Sequence, residues 1–401
     1  METLYSVLRN LFPYKGYKFS VLECSNHILI GLKNLRKCGN CPSCGKRCRT
    51  VETEYERVVR DLDLASRKCF LRFLQKKIRC KCGYRGLERL DFIAKFRRVT
   101  QRMETYVVSL AECMSLKEVA QIVELDWKTV KEIDREYIRS LLPMIETLMI
   151  RRIAIDEIAI MKGHKYITII RDYDTGVALK IFFSRTYEAT AQALSSLGKE
   201  ILGKIEYASL DMWDPYIKAL REYCPHVKLV FDKFHIAKKI NEAVDRVRKR
   251  EFALVEPEER KLMKKKRWII LNRNKNLKSE QREELKTLME TNEKLYKAYI
   301  LKEQILSIFD EKETTFEIIK QRLTTWMENI LSNEMEEFYD ALNTIQAHFE
   351  GILNYFRYGM TNAIAEGFNT KINVLKRRAY GFRDVDYFIL KIYQQSLQRF
   401  A

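Results

Sequence analysis

The alternation of apolar and polar residues changes character along the chain. From residue 151 it is that of β-strands. RRIAIDEIAI, KYITIIRDYD and GVALKIFF are three successive runs rich in β-branched residues, separated by short polar breaks. A helical stretch at about 187–199 follows, then a strand at 205–210, a helix at 214–223 and a strand at 227–231. The predicted order is β-β-β-α-β-α-β. After His235 the periodicity is almost wholly helical to about Tyr358, and two more helices, the first over 363–378, complete the chain. Ahead of the strands, SLKEVAQIVELDWKTVKEIDREYI (115–138) holds two short helical patterns around a break at 124–126. Leu116, Val119, Ala120 and Val123 form one apolar face, and Val130, Ile133 and Tyr137 a second. Ser115 and Asp126 are N-cap residue types. This is helix-turn-helix spacing with 127–138 as the recognition helix, although a plain packing hairpin has the same pattern. Further upstream, residues 68–78 (KCFLRFLQKKI) partly alternate, as a half-buried strand does.

Composition narrows the class. The 401 residues suffice for two to four domains, and 46% hydrophobic content excludes a disordered chain. Only 14 glycines and 6 prolines are present, which excludes collagen-like and linker-rich architectures. No stretch approaches the ~18 apolar residues of a membrane span. The opening METLYSVLRNLFPYKGYK lacks the pattern of a signal peptide, so a cytoplasmic protein without a membrane partner is expected. The formal charge of +19 predicts a nucleic-acid partner. Residues 238–278 carry 15 Lys/Arg against 6 Asp/Glu. Lys264, Lys265, Lys266 and Arg267 in this stretch are candidate DNA contacts, with a merely solvated face as the alternative. Trp127, Lys128 and Lys131 are candidates on the recognition helix. Trp268 and Trp326 are either core residues or platforms for an unpaired base.

Eight of the ten cysteines lie in the first 82 residues, marking a separate small N-terminal module. Cys41-x-x-Cys44 with Cys80-x-Cys82 supplies the four thiolates of a closed structural zinc site. The second spacing is tighter than usual, so Cys38, Cys48 and Cys69 remain substitutes. Cys38, Cys41, Cys44 and Cys48 also follow a ferredoxin-type spacing, but Arg49 stands where that run has proline.

Three carboxylates stand out by position. Asp156 interrupts the first apolar strand and Asp211 closes the fourth. A buried carboxylate is costly unless paired, hydrogen-bonded or on a metal. On neighbouring strands these two, with a third from a later helix, suit two Mg²⁺ ions for in-line phosphoryl transfer. Strand termination and capping would use the same residue type. Glu157 alternates to the opposite face. In the 363–378 helix, Asn362 is an N-cap type and Glu366 lies on the polar stripe, where periodicity alone reads it as solvated. Lys371, Arg377 and Arg378 are its candidate DNA contacts. His164, in KGHKY, is a turn residue or a phosphate contact.

Several blocks resemble one family in order along the chain. TNAIAEGFNTKINVLKRRAYGF is similar to the C-terminal signature of insertion-sequence DDE transposases of the ISL-three type. AIDEIAIMKGHKYITIIRDYDTG resembles their first-aspartate segment and SLDMWDPY their second. VFDKFHIAKKINEAVDRVR resembles a further block, with Asp232 and His235 as D-x-x-H. CPSCG, YERVVRDLDL and RCKCG resemble the zinc-ribbon part. The resemblance implies Asp156, Asp211 and Glu366 as catalytic, metal-holding residues, with Asp232 and His235 as accessory ones. It implies an α/β RNase H-like core with a mixed five-stranded sheet, interrupted by a helical insertion and preceded by a zinc ribbon and a helix-turn-helix. The expected division is 1–95, 96–147, 148–235, 236–358 and 359–401. The expected cofactors are Mg or Mn in the core and Zn in the N-terminal part. The expected partners are terminal inverted repeats and target DNA, with a homo-oligomer on paired ends. A non-catalytic DNA-binding regulator and a nuclease without joining activity are the alternatives.

Overall fold

The computed structural model describes residues 4–147, 149–161, 165–256, 260, 264–311, 315–360, 363–379 and 381–397, excluding the side chains of 4, 5, 146, 147, 160, 161, 165 and 363–366. His164 and Asn362 lie outside the described residues. The chain forms two compact units, Met1–Ser140 with Lys376–Tyr387, and Leu141–Leu375 with Phe388–Ala401.

The first unit begins with α1 (Leu4–Leu11) and a sheet of β1 (Tyr17–Cys24), β2 (His27–Asn34), β5 (Val51–Leu64), β6 (Arg67–Arg79) and β7 (Arg85–Leu87). Its order is β1-β2-β6-β5, with β7 also on β6. The small hairpin of β3 (Gly39–Asn40) and β4 (Arg47–Cys48) stands apart. Strand β6 includes the alternating segment read from the sequence and buries Cys69, Leu71, Phe73 and Ile78. The long β5–β6 hairpin turns at Ala65 and Ser66, both at positive φ. Phe12, Phe19, Ile30, Leu71, Phe73 and Phe92 fill the core. Three helices follow, α2 (Gln101–Cys113), α3 (Leu116–Val123) and α4 (Trp127–Leu141). Ser115 and Glu118 form a capping box at α3, and Glu124 ends that helix in the left-handed conformation. Helix α2 is tied to the sheet by a buried ion pair. Arg102 places Nε 2.6 Å and Nη2 2.5 Å from the two Asp61 oxygens, and Thr100 Oγ1 donates to Asp61 Oδ1 at 2.6 Å.

The second unit is built on a sheet of β8 (Arg152–Met161), β9 (Lys165–Asp172), β10 (Ala178–Phe183), β11 (Tyr207–Leu210) and β12 (Lys228–Phe231). The order is β10-β9-β8-β11-β12. The first three strands are an antiparallel meander; β11 runs parallel to β8 and β12 parallel to β11. Helices α5 (Tyr187–Ser195), α6 (Lys199–Lys204) and α7 (Asp214–Tyr223) connect the strands. The chain then enters α8 (Lys233–Leu254), α9 (Arg267–Leu271), α10 (Ser279–Thr291), α11 (Glu293–Asp310), α12 (Phe316–Ser332), α13 (Tyr339–Ala347) and α14 (Phe349–Tyr358). One apolar core runs from Ile155, Leu210 and Phe231 into these helices at Ile236, Ile240, Leu323 and Leu342. Helix α14 closes on β12: Asn354 Nδ2 donates to the Leu229 carbonyl at 2.9 Å, and Gly351 packs against the Phe231 ring. Helices α15 (Ala363–Arg378) and α16 (Val385–Leu397) end the described fold. No helix among the described residues is long and apolar enough to cross a membrane.

Candidate functional site

The polar residues that interrupt the apolar strands converge on one edge of the second unit's sheet. β8 pairs with β11 as Ala208↔Ile153 and Ser209↔Ala154, and β11 with β12 as Ser209↔Val230 and Leu210↔Phe231. Continuing both registers brings Asp156, Asp211 and Asp232 to one level on three neighbouring parallel chain segments. Asp232 caps α8 by accepting from the Phe234 N–H at 3.0 Å. That start to α8 carries His235 to Asp211, with Nδ1 3.2 Å from Oδ1. Asp156 accepts the Glu157 N–H at 2.8 Å and Asn369 Nδ2 at 2.6 Å. Asn369 belongs to α15, which therefore lies over this edge. Glu366 is a position of α15 three residues before Asn369; its side chain is outside the described residues.

Glu157 takes the other face, as alternation requires. Its Oε1 lies 3.3 Å from Arg185 Nη1 and its Oε2 accepts from Tyr216 Oη at 3.5 Å. Burial raises its pKa, Arg185 opposes that rise, and the nearby charges of Asp211 and Asp156 add to it.

Two polar residues at this edge escaped the sequence reading. Asn369 stands outside the polar stripe traced through Glu366. Arg171 lies within the apolar run of β9 and is 1% exposed. Its guanidinium sits 4.7 Å from the centre of the Phe368 ring, and its nitrogens find no hydrogen-bond partner among the described residues. Burial lowers its pKa to about 10 against the opposing pull of Asp156. A lone charge in an apolar strand was the available signal, the same one that marked Asp156.

The first unit gathers Cys41, Cys44, Cys80 and Cys82. Their sulfurs all lie within 4.8 Å of one another, with Cys41–Cys82 and Cys44–Cys80 at 3.6 Å. Cys41 and Cys44 come from the β3–β4 loop, and Cys80 and Cys82 from the β6–β7 turn. The Tyr84 backbone N–H and the neighbouring thiols draw the Cys82 thiol down to about 6. Four thiols at this separation suit a tetrahedral zinc ion. Cys48 instead donates to the Arg79 carbonyl at 2.7 Å, and Cys69 is buried in the sheet core.

The candidate DNA contacts divide. On α4, Trp127 is 50% exposed and Lys128 is also exposed, whereas Lys131 Nζ is held 2.6 Å from Asp384 Oδ2. Arg378 Nη1 donates to the Glu112 carbonyl at 2.5 Å, while Lys371 and Arg377 are exposed. In the basic run, Lys264 and Lys265 are exposed, Lys266 pairs with Glu284, and Arg267 Nε lies 3.2 Å from Asp245. Trp268 is 67% exposed; Trp326 is buried and donates to the Leu301 carbonyl at 2.7 Å.

Comparison with known proteins gives a consistent picture. The family described as "Transposase", of the DDE ISL3 type, matches residues 153–392. The "Helix-turn-helix domain of transposase family ISL3" matches residues 88–138. The transposase for insertion sequence element IS1001 of Bordetella parapertussis is 30% identical over 394 residues, 96% of this chain and 97% of that protein. The transposase for insertion sequence element IS1557 of Mycobacterium tuberculosis is 25% identical over 378 residues, 87% of this chain and 83% of that protein.

Proposed function

Because the chain belongs to the ISL3 family of insertion-sequence transposases, we propose that it binds the terminal inverted repeats of its element and catalyses metal-dependent cleavage and joining of DNA. The observation that carries this reading is the shared level of Asp156 and Asp211 on adjacent parallel segments, under the helix that contains Glu366. The strand order supports an RNase H-like core. Within it, Asp156, Asp211 and Glu366 are the catalytic carboxylates, and Asp232 and His235 are accessory. We retain the division 1–95, 96–147, 148–235, 236–358 and 359–401 as functional segments.

The donors fit a hard divalent cation: carboxylate oxygens at a half-exposed sheet edge, with no thiol beside them among the described residues. Mg²⁺ or Mn²⁺ held by these carboxylates supplies Lewis acidity for the attacking water or 3′-hydroxyl and for the leaving oxygen. The chain's own groups prepare the site. His235 holds Asp211 by one oxygen, Asn369 holds Asp156 by the other side, and Arg171 offsets the negative charge from below. Trp127 and Lys128 on α4 face the DNA, with Lys371, Arg377, Lys264 and Lys265 as further phosphate contacts. A homo-oligomer pairs the two ends.

The test uses the purified chain, labelled terminal DNA and Mg²⁺. Asp211→Asn keeps the shape but removes an anionic ligand, so cleavage and joining should fall by orders of magnitude while repeat binding stays near wild type. Glu157→Gln, on the other face, should keep most activity. Normal cutting by Asp211→Asn sinks the assignment. Binding without cutting by the wild type makes the chain a regulator, and cutting without joining makes it a nuclease.

A further inference from the structure

The segment joining β7 to α2 contains a residue that is unfavourable twice over. Phe96 is 81% exposed and sits at φ +64°, a left-handed conformation rare for a bulky side chain. The backbone around it is pinned. Arg97 N–H donates to the Ala94 carbonyl at 3.1 Å, Arg60 N–H to the Arg98 carbonyl at 2.9 Å, and Arg57 Nη2 to the Arg97 carbonyl at 2.6 Å. The Arg97 side chain reaches Glu104 of α2 at 3.2 Å and Glu136 of α4 at 2.7 Å. The loop therefore holds a fixed position relative to α4, and the strain at Phe96 is imposed by its surroundings.

Phe96 borders a cleft of about 800 Å³ also lined by Arg57, Arg85, Arg89, Lys95 and Arg98. Arg85 pairs with Glu52. Arg89, Lys95 and Arg98 have no ion-pair partner among the described residues. The lining acid, Glu88, is buried and accepts the Lys76 N–H at 2.9 Å. Burial and the charge of Arg98 together push the Arg57 guanidinium pKa down.

We propose that this cleft is a second duplex-DNA contact, in which Arg89, Lys95 and Arg98 hold phosphates and Phe96 enters the minor groove as a wedge at a base step. An exposed ring flanked by cations matches a ligand that is both polyanionic and stacked. The tie through Arg97 and Glu136 sets this wedge in register with α4, so that one body reads two adjacent grooves. The inference rests on the proposed binding of terminal DNA.

The full chain is tested with a labelled duplex carrying the repeats that flank its gene, with 2-aminopurine at successive steps to report unstacking. Phe96→Gly relieves the left-handed strain. It should melt no lower than wild type, bind about tenfold more weakly and lose the unstacking signal. Replacing Arg89 and Arg98 by Gln should reduce the slope of log K against log salt by about two. A Phe96→Gly variant with wild-type affinity and unstacking overturns the proposal, and so does one that loses self-association but not DNA. Trp127→Ala serves as the control. If it weakens binding while the Phe96 and arginine variants do not, this inference fails alone. If the wild type binds no duplex, the DNA reading fails with it.

Discussion

Asp156 and Arg171 show how single polar residues in apolar strands define this site. Asp156 is satisfied by a backbone N–H and by Asn369, whereas Arg171 lies buried with no such compensation among the described residues. A buried guanidinium without hydrogen bonds costs stability, which points to a value elsewhere. Its charge acts on Asp156, and its stacking on Phe368 holds α15 against β9. Arg171→Met should therefore raise unfolding free energy by on the order of 1 kcal/mol. The same change should slow DNA cleavage by about tenfold or more, equivalent to roughly 1.4 kcal/mol of barrier. Denaturant titration and single-turnover cleavage check the two halves, and a variant that is less stable yet fully active contradicts the argument. Asp156 and Asp211 were legible in the sequence because a carboxylate in an apolar strand is conspicuous. Arg171 carried the same signal. Asn369 was not legible, since its role depends on where α15 is laid down, and helical periodicity does not encode that.

Among the elements, those with a strong period were legible and those defined by turns were not. The strands β8 to β12, the helix α7 and the two helices flanking Glu124 follow their apolar patterns closely. The β5–β6 hairpin was missed in large part. Its turn is Ala65-Ser66 at positive φ rather than the Asn-Gly or Asp-Gly such a turn favours, and half of β5 (VETEYERVVRDLDL) is charged, with an exposed stretch at 53–56. The burial of its far half comes from neighbours that local pattern does not reveal. The contact of α14 with β12 is likewise tertiary. A Cβ on Gly351 would stand 2.3 Å from two carbons of the Phe231 ring. Gly351→Ala should thus cost about 1–3 kcal/mol by overpacking. It should also depress cleavage, because β12 leads directly into Asp232 and the start of α8. An alanine variant with unchanged unfolding free energy would show that α14 moves freely off the strand.

At the scale of the whole molecule, the charge of +19 lies mainly in the first unit, which carries +14 against +5 in the second, and each unit has its own means of holding together. The second has one continuous apolar core. The first has several smaller ones and the four-cysteine cluster. Elemental analysis should find about one zinc per chain, and a chelator or Cys44→Ser should unfold the cysteine loops, since ligand binding and folding are coupled. The unfolding of the second unit should be unaffected. Iron in place of zinc, or a fully folded metal-free first unit, would contradict this. The first unit is also discontinuous in sequence. Lys131 and Arg135 of α4 meet Asp384, and Tyr387 Oη donates to the fully buried Asp134 at 2.5 Å. A ribosome must deliver all of residues 141–375 before those partners emerge. Until then, α4 exposes a carboxylate site that lacks its phenol and two cations that lack their shared anion. The first unit is thus begun first and closed only by residues 376–387, after nearly all of the second has been made. A translation product that stops before Asp384 leaves Lys131, Asp134 and Arg135 of α4 without these partners, so α4 gains its full set of contacts only when almost the whole chain has been made.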